Sequence, residues 1–400
     1  MVAGEHMNIL YLTPFNPLDR GLGGAVRSAA ILHALRQFAN VETIVLAGHE
    51  TPQKVSAELQ IKLCDRFLSH RRCFKVKFLQ LLSILFGLPD FAYLTREEIL
   101  NRLGAERKSY DAVVVRYPWL AGQLAAWKIA PCFIDIDDSP KDAYNACNAM
   151  EGSAISYIIN RWLSVGWQLS VCKKAICTWI SNPMQLDAMR KVCRCESLVN
   201  VANGPADNYK VSSKRGKTFL MTVGWLAYRA NFLGIDKFLS LFWPIIKQQF
   251  TELEYLIVGR DLPDEYKIKW SKIDGVRLMG YVDSLDDLYS DALSIVVPLW
   301  IGGGTSVKVI EACKYGCKVM STAIGVRGID DAALEALNVD IFSTVDELCS
   351  SVKNWCSKDE ARRCEIRNKI MQYATEWNSK DRFDKTIKAS LGRIGTLNHE

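Results

Sequence analysis

The chain has 400 residues, 49% hydrophobic and 24% charged, with 50 Lys and Arg against 44 Asp and Glu for a net charge of +6. At roughly 150 residues per domain the length predicts two or three domains. The 12 prolines and 25 glycines exclude a collagen-like or low-complexity chain. The basic excess is small and not gathered into a dense block, so a nucleic-acid partner is not expected.

Thirteen cysteines could signal a secreted disulfide framework. The number is odd, the chain is long, and Met7–Leu12 opens directly as a strand without a basic leader or an 18-residue apolar run. The closest spacing, Cys193-Arg194-Cys195, is one residue short of a metal knuckle, and no second pair follows. Reduced thiols in a cytoplasmic protein are the expectation, with no metal.

In chain order, Asn8–Thr13 reads as a strand ending at Pro14, and Ala25–Phe38 as a helix. Val41–Leu46, Asp111–Val115 and Cys132–Ile136 are further strand-like runs. Strands alternating with helices predict a parallel, doubly wound α/β sheet. Leu59–Leu88 departs from the pattern. Lys62, Arg66, Arg71, Arg72, Lys75 and Lys77 lead into the apolar run Phe78–Phe86. That stretch is either a surface for an anionic membrane or a basic helix followed by a buried one. After the polar segment Asn203–Lys217 a second cycle begins, with strands at Thr218–Val223, Leu253–Val258, Gly275–Leu278, Leu293–Pro298 and Cys317–Ser321. Helices are predicted over Phe232–Gln249 and Thr305–Tyr315. Two α/β halves result, and the cleft between such halves is the default ligand site.

Two glycine-rich turns carry the chemistry. The first, Gly21-Leu22-Gly23-Gly24-Ala25, lies between the first strand and the first helix, where bare backbone N–H groups and a helix N-terminus suit a phosphate. A dinucleotide fingerprint would need glycine where Val26 stands and an acid at the end of the second strand, whereas Glu42 lies nearer its start. A plain tight turn is the alternative. The second runs from Val297 through Gly302-Gly303-Gly304-Thr305-Ser306 to Lys308 and Glu311. Thr305 or Ser306 can cap a helix, the first-turn N–H groups form an anion cradle, and Lys308 can reach phosphate oxygens. Glu311, three residues on and on nearly the same face, can accept hydrogen bonds from both hydroxyls of a ribose. A surface ion pair between Lys308 and Glu311 is the bland alternative.

This segment, continuing through Gly316 to Thr322 and Gly325-Val326-Arg327-Gly328, resembles the nucleotide-sugar site of GT-B glycosyltransferases, most closely the retaining family-4 type and its glycine-rich subgroup. Val223-Gly224, Tyr228-Arg229-Ala230-Asn231, Phe242-Trp243-Pro244, Val258-Gly259-Arg260 and Gly280-Tyr281-Val282 extend the likeness upstream. So do Asn8–Pro14, Gly23-Gly24, Leu88-Pro89, Tyr110-Asp111, Asp135–Asp138, Trp179-Ile180-Ser181 and Val201–Gly204 in the N-terminal half.

The resemblance implies a GT-B fold of two Rossmann-like domains. Residues 1–205 would bind the acceptor and 206–375 the nucleotide sugar, and a helical segment, 376–400, would return to the first domain. It implies that Gly23 and Gly24 face the donor diphosphate, that Gly304, Thr305 and Ser306 hold phosphate with Gly303 also in the donor site, and that Glu311 holds the ribose. Lys308 and Arg229 would neutralise the leaving diphosphate in a hexosyltransferase-type reaction that retains anomeric configuration and needs no metal. Positioned cations lower the barrier by stabilising charge as it grows on the leaving group. Where many members carry a first glutamate this chain has Gly303, and where many carry a histidine it has Asp137 and Asp138. Either aspartate could orient the acceptor hydroxyl or take its proton, or Asp138-Ser139-Pro140 could simply cap the next helix. Trp119 and Trp300 could stack on sugar or simply pack.

The expected partners are a nucleotide-sugar donor and a glycan, lipid-linked or small-molecule acceptor, with an anionic membrane as a further contact. Surface-polysaccharide synthesis is the expected setting. A non-catalytic binding or chaperone subunit of the same fold is the rival reading, and a nucleotide-sugar epimerase a lesser one.

Overall fold

A computed structural model describes residues 7–18, 23–46, 61–63, 95–107, 109–147, 154–193, 197–203, 219–302 and 307–394. The chain divides into two compact units. One joins Met1–Gly204 to Lys380–Glu400, and the other is Pro205–Ser379.

The first unit is built on seven strands, β1 (Met7–Thr13), β2 (Ala39–Val45), β3 (Ile61–Leu63), β4 (Ala112–Arg116), β5 (Cys132–Ile136), β6 (Cys177–Ile180) and β7 (Leu198–Asn200). Their order is β3-β2-β1-β4-β5-β6-β7, every neighbouring pair parallel. The central strands are buried on both faces, which is why they read as unbroken apolar runs. Leu10, Leu12, Val113, Val115 and Ile134 point into one core and Ile9, Tyr11, Val114 and Phe133 into the other. The second of these cores takes Phe383, Ile387 and Leu391 from the C-terminal helix Lys380–Leu391. Tying that helix further, Trp179 Nε1 donates to Ser390 Oγ at 2.9 Å.

The second unit has β8 (Phe219–Val223), β9 (Glu254–Val258), β10 (Val276–Gly280), β11 (Ser294–Val297), β12 (Val319–Ser321) and β13 (Val339–Ile341). They lie in the order β10-β9-β8-β11-β12-β13, again all parallel. In each sheet the winding reverses once, between β1 and β4 and between β8 and β11. The carboxyl ends of those strands are where an open α/β sheet holds its ligand.

Two local expectations change. The single helix expected over Phe232–Gln249 is two, Arg229–Leu241 and Trp243–Gln249. Pro244 lacks an N–H and its ring clashes with the preceding turn, so it is accepted only at a helix start. Ile61–Leu63 pairs with β2 as a strand instead of lying in a basic helix. The rest of the basic and apolar stretch, through Leu88, lies outside the described residues. Among those that are described, no helix is long and apolar enough to cross a membrane.

Candidate functional site

In the second unit the winding reversal is framed by the end of β8, the segment after β11 and the helix Val307–Lys314. Close backbone approach makes the frame. A Cβ on Gly259, whose φ is +153°, would lie 1.8 Å from the Gly224 carbonyl oxygen, and one on Gly234 would lie 2.1 Å from that of Pro298. Neither position tolerates a side chain without moving backbone.

Lys308, in the first turn of its helix, lays its side chain across Gly224. A Cβ there would come 2.8 Å from Nζ and 2.9 Å from Cε. Lys308 Nζ donates to Asn231 Oδ1 at 2.5 Å, and Asn231 Nδ2 in turn donates to the Trp225 carbonyl at 2.7 Å. Burial pulls the Lys308 ammonium down to about 8, and the neighbouring Arg327 guanidinium adds to the shift while Glu311 opposes it. Arg327 is anchored by Nη1 to the Ile324 carbonyl at 2.6 Å. Its guanidinium lies against Gly302, where φ is +138° and a Cβ would meet Nη2 at 3.2 Å.

Glu311 is half-buried on the same helix. Burial pushes its carboxyl up to about 7, against the pull of the Tyr289 hydroxyl, Lys308 and Lys314. The Tyr289 hydroxyl is itself buried beside Glu311 and opposes that rise. Lys308, Arg327 and Glu311 thus meet at one strand end. This is the charge pattern that a diphosphate and a diol would complete.

The first unit places a different cluster at its own reversal. Asp135, in β5, is fully buried between two arginines. Arg27, on helix Gly23–Arg36, reaches it with Nη2 to Oδ1 at 2.5 Å and Nε to Oδ2 at 3.0 Å. Arg116, closing β4, brings Nε within 2.9 Å of Oδ2. That Nε–H points off the line to the oxygen, so the contact is Coulombic and not a hydrogen bond. Asp137 receives Arg116 Nη2 at 2.6 Å, has Arg27 Nε at 3.3 Å, and accepts from the Tyr117 hydroxyl. Burial works against the Arg116 guanidinium, yet Asp137, Tyr117 and Asp135 outweigh it and keep it protonated. Burial also pushes the Tyr117 hydroxyl well up, which keeps it a donor to Asp137. Tyr117 holds φ at +75°. That left-handed backbone costs a non-glycine residue about 1–3 kcal/mol, held in place by its hydroxyl bond and by Arg116 stacked 4.9 Å from its ring.

Residues 217–353 match the family model described as glycosyl transferases group 1. Among solved structures the chain is similar to sucrose-phosphate synthase from Thermosynechococcus elongatus, with TM-score 0.68, 14% identity and 98% of each chain covered. It is also similar to WaaG, a glycosyltransferase of lipopolysaccharide biosynthesis, with TM-score 0.64, 13% identity and 96% and 99% coverage. Anabaena Alr3699/HepE in complex with UDP-glucose gives TM-score 0.62 at 14% identity, covering 97% of this chain and all of that one. No curated protein sequence matches the chain. The structural likenesses carry the fold, and the family match carries the class. This is a glycosyltransferase of the GT-B fold.

The glycosyltransferase brings Lys308 and Glu311 together, as their spacing implies. Gly303, Gly304, Thr305 and Ser306 lie outside the described residues. Arg229 is exposed at the start of its helix, whereas the cation acting on Lys308 is Arg327. Arg327 and Asn231 were legible only as pieces of the family likeness. Gly23 is exposed with open space at its Cβ position, and Gly24 underlies Phe15, whose ring a Cβ would meet at 2.5 Å. Arg116 Nη1 also donates to the Gly24 carbonyl at 2.9 Å, so this turn is braced from below. Asp138 accepts from Gln185 Nε2 at 3.1 Å, and the cap of the next helix is Ser139, whose Oγ accepts the Asp142 N–H at 3.2 Å. Trp300 packs on Phe242 at 5.5 Å with Lys237 Nζ 4.4 Å above its ring, while Trp119 stacks on Tyr117 at 6.4 Å.

Proposed function

We propose that the glycosyltransferase takes its sugar from a nucleoside-diphosphate donor bound in the second unit and passes it to an acceptor hydroxyl with retention of anomeric configuration. The observation that carries this reading is the set of Lys308, Arg327 and Glu311 around Gly224 and Gly302. Lys308 and Arg327 meet the diphosphate, and their positive charge offsets what accumulates on the leaving oxygens. Glu311 accepts from the ribose hydroxyls. The chain's own cations take the neutralising role, so turnover is expected to persist in a chelator. Gly23 and Gly24, at the start of a helix in the first unit, offer an N-terminus that suits a phosphate.

Asp137 already engages two guanidiniums and a phenol, which makes it a residue that organises and orients the acceptor side, with Asp138 beside it. A glycan or lipid-linked acceptor, in surface-polysaccharide synthesis, is the setting proposed. Incubation with UDP-, GDP- and ADP-sugars and a glycan acceptor panel should release nucleoside diphosphate from one donor class. NMR of the product should show the donor's own anomeric configuration. An inverted linkage would remove retention, and release that depends on an added divalent metal would remove the metal-free reading.

A further inference from the structure

Three half-buried aromatic side chains meet at the winding reversal of the first unit. Phe15 lies two residues beyond β1, Tyr117 directly follows β4, and Trp119 stands in the first turn of the helix Pro118–Leu124. Ring contacts join them in a row. Phe15 meets Tyr117 edge to face at 6.1 Å, and the Tyr117 and Trp119 planes run within 13° of parallel with centroids 6.4 Å apart. Parallel rings at that separation are offset, so neither fully covers the face of the other. The Arg116 guanidinium braces the row, 4.9 Å from the Tyr117 ring and 6.0 Å from that of Phe15.

Asp137, directly after β5, sets an acceptor beside these rings. Its Oδ2 takes both Arg116 Nη2, at 2.6 Å, and the Tyr117 hydroxyl. Among the described residues Oδ1 has only Arg27 Nε, at 3.3 Å, and the proton of that nitrogen goes to Asp135. The Asp137 side chain is 29% exposed. A carboxylate oxygen carries two lone pairs, so Oδ1 can still accept from a hydroxyl. Tyr117 reaches this place only through φ +75° and ψ 137°, a backbone that side chains rarely adopt and that gathers at functional strand ends.

An aromatic face beside a spare carboxylate oxygen suits a pyranose. The ring C–H bonds of a sugar carry slight positive charge and lie on the electron-rich face of an aromatic ring, while a hydroxyl at the sugar's edge donates to the carboxylate. Behind the row stand two guanidiniums and two carboxylates, Arg27, Arg116, Asp135 and Asp137, so the surface favours a neutral ring over a charged group. We propose that Phe15, Tyr117 and Trp119 are a stacking platform for a neutral pyranose of the acceptor, with Asp137 Oδ1 accepting from one of its hydroxyls. This rests on the reading that the first unit takes the acceptor.

Saturation-transfer NMR on the full chain tests it, with the methyl glycopyranosides of glucose, galactose, mannose and N-acetylglucosamine in both anomers as probes. At least one should show transfer to its ring C–H protons, and added UDP, GDP or ADP should leave that transfer in place. Trp119→Leu, which keeps an apolar side chain against the core, should weaken the binding about fivefold, whereas Trp119→Phe should stay within about twofold of the wild type. If Trp119→Leu does not fold, Phe15→Leu gives the same direction. Three results would overturn the platform. The wild type could show transfer to none of the probes. The leucine variants could bind as the wild type does, which would make the row packing alone. Or a nucleoside diphosphate could displace the glycoside, which would assign the rings to the donor. Failure of the acceptor reading is distinct from all three: the wild type would then release no nucleoside diphosphate from any donor, whatever the glycosides do.

Discussion

Each unit gathers charge at the carboxyl ends of strands near its reversal, and the two treat it in opposite ways. At the end of β4 and β5 the buried Arg27, Arg116 and Asp135 and the half-buried Asp137 are paired at 2.5–3.3 Å. At the end of β8 and β11 two cations and one carboxylate stand half-buried, and burial pushes both Lys308 and Glu311 toward neutrality. The first arrangement is complete in itself and stabilises the sheet. In the second, burial opposes the charge of both Lys308 and Glu311. Buried charge alone therefore does not mark a binding site; burial that pushes charged groups toward neutrality is the sharper sign.

Substitution should separate the two most sharply at Asp135. Asp135→Ala leaves Arg27 and Arg116 buried without their shared partner, which costs about 3–5 kcal/mol. Chemical denaturation should show a collapse of stability, with aggregation on expression an acceptable form of it. A loss under about 1 kcal/mol would mean that the arginines find other partners. Lys308→Met should do the reverse, leaving stability unchanged or higher. Nucleoside-diphosphate affinity should fall by roughly 30-fold, for the loss of about 2 kcal/mol of charge-assisted hydrogen bonding.

The pH dependence sharpens the contrast. A diphosphate needs Lys308 charged, so affinity should fall as pH rises through about 8. A ribose diol needs Glu311 ionised, so affinity should also fall as pH drops through about 7. Titration calorimetry should give a narrow optimum between these values. The folded-state pKa of Glu311 is raised, so its contribution to stability is full at acid pH and lost as pH rises through about 7. Glu311→Gln should accordingly raise the melting temperature above that pH and change it little well below. A flat affinity profile would show that neither group titrates where burial places it.

The smallest effect distinguishes two arginines. Arg327→Ala should weaken nucleoside-diphosphate binding by about tenfold, and Arg229→Ala by less than about twofold, since Arg229 is exposed and Arg327 is the cation beside Lys308. The opposite ranking in a calorimetric comparison would restore the role given to Arg229 by resemblance.

Much of the architecture is legible in the sequence because parallel strands buried on both faces are continuous apolar runs. Val113–Val115 and Ile295–Val297 are read without ambiguity. The edge strands Leu198–Asn200 and Val339–Ile341 are three residues long and too short to show a period. The break at Phe242 was written in Pro244, whose effect depends on which helix it starts. Within the site, Lys308 and Glu311 were legible because a single helix holds both. Arg327, 19 residues further on, and Asn231, on another helix, join them only through the fold. The Arg27–Arg116–Asp135 cluster was hidden for the same reason, although a charge inside Cys132–Ile136 or at the end of Ala112–Arg116 is itself a sign of a buried partner.

The most direct test is calorimetric titration of the wild type and Lys308→Met with UDP, GDP and ADP, beside a melting curve for each protein. One nucleotide should bind the wild type and lose roughly 30-fold in affinity with Lys308→Met, whose melting temperature stays level or rises. Equal affinity in the two proteins would contradict the account, because the diphosphate would then be held somewhere other than against Gly224.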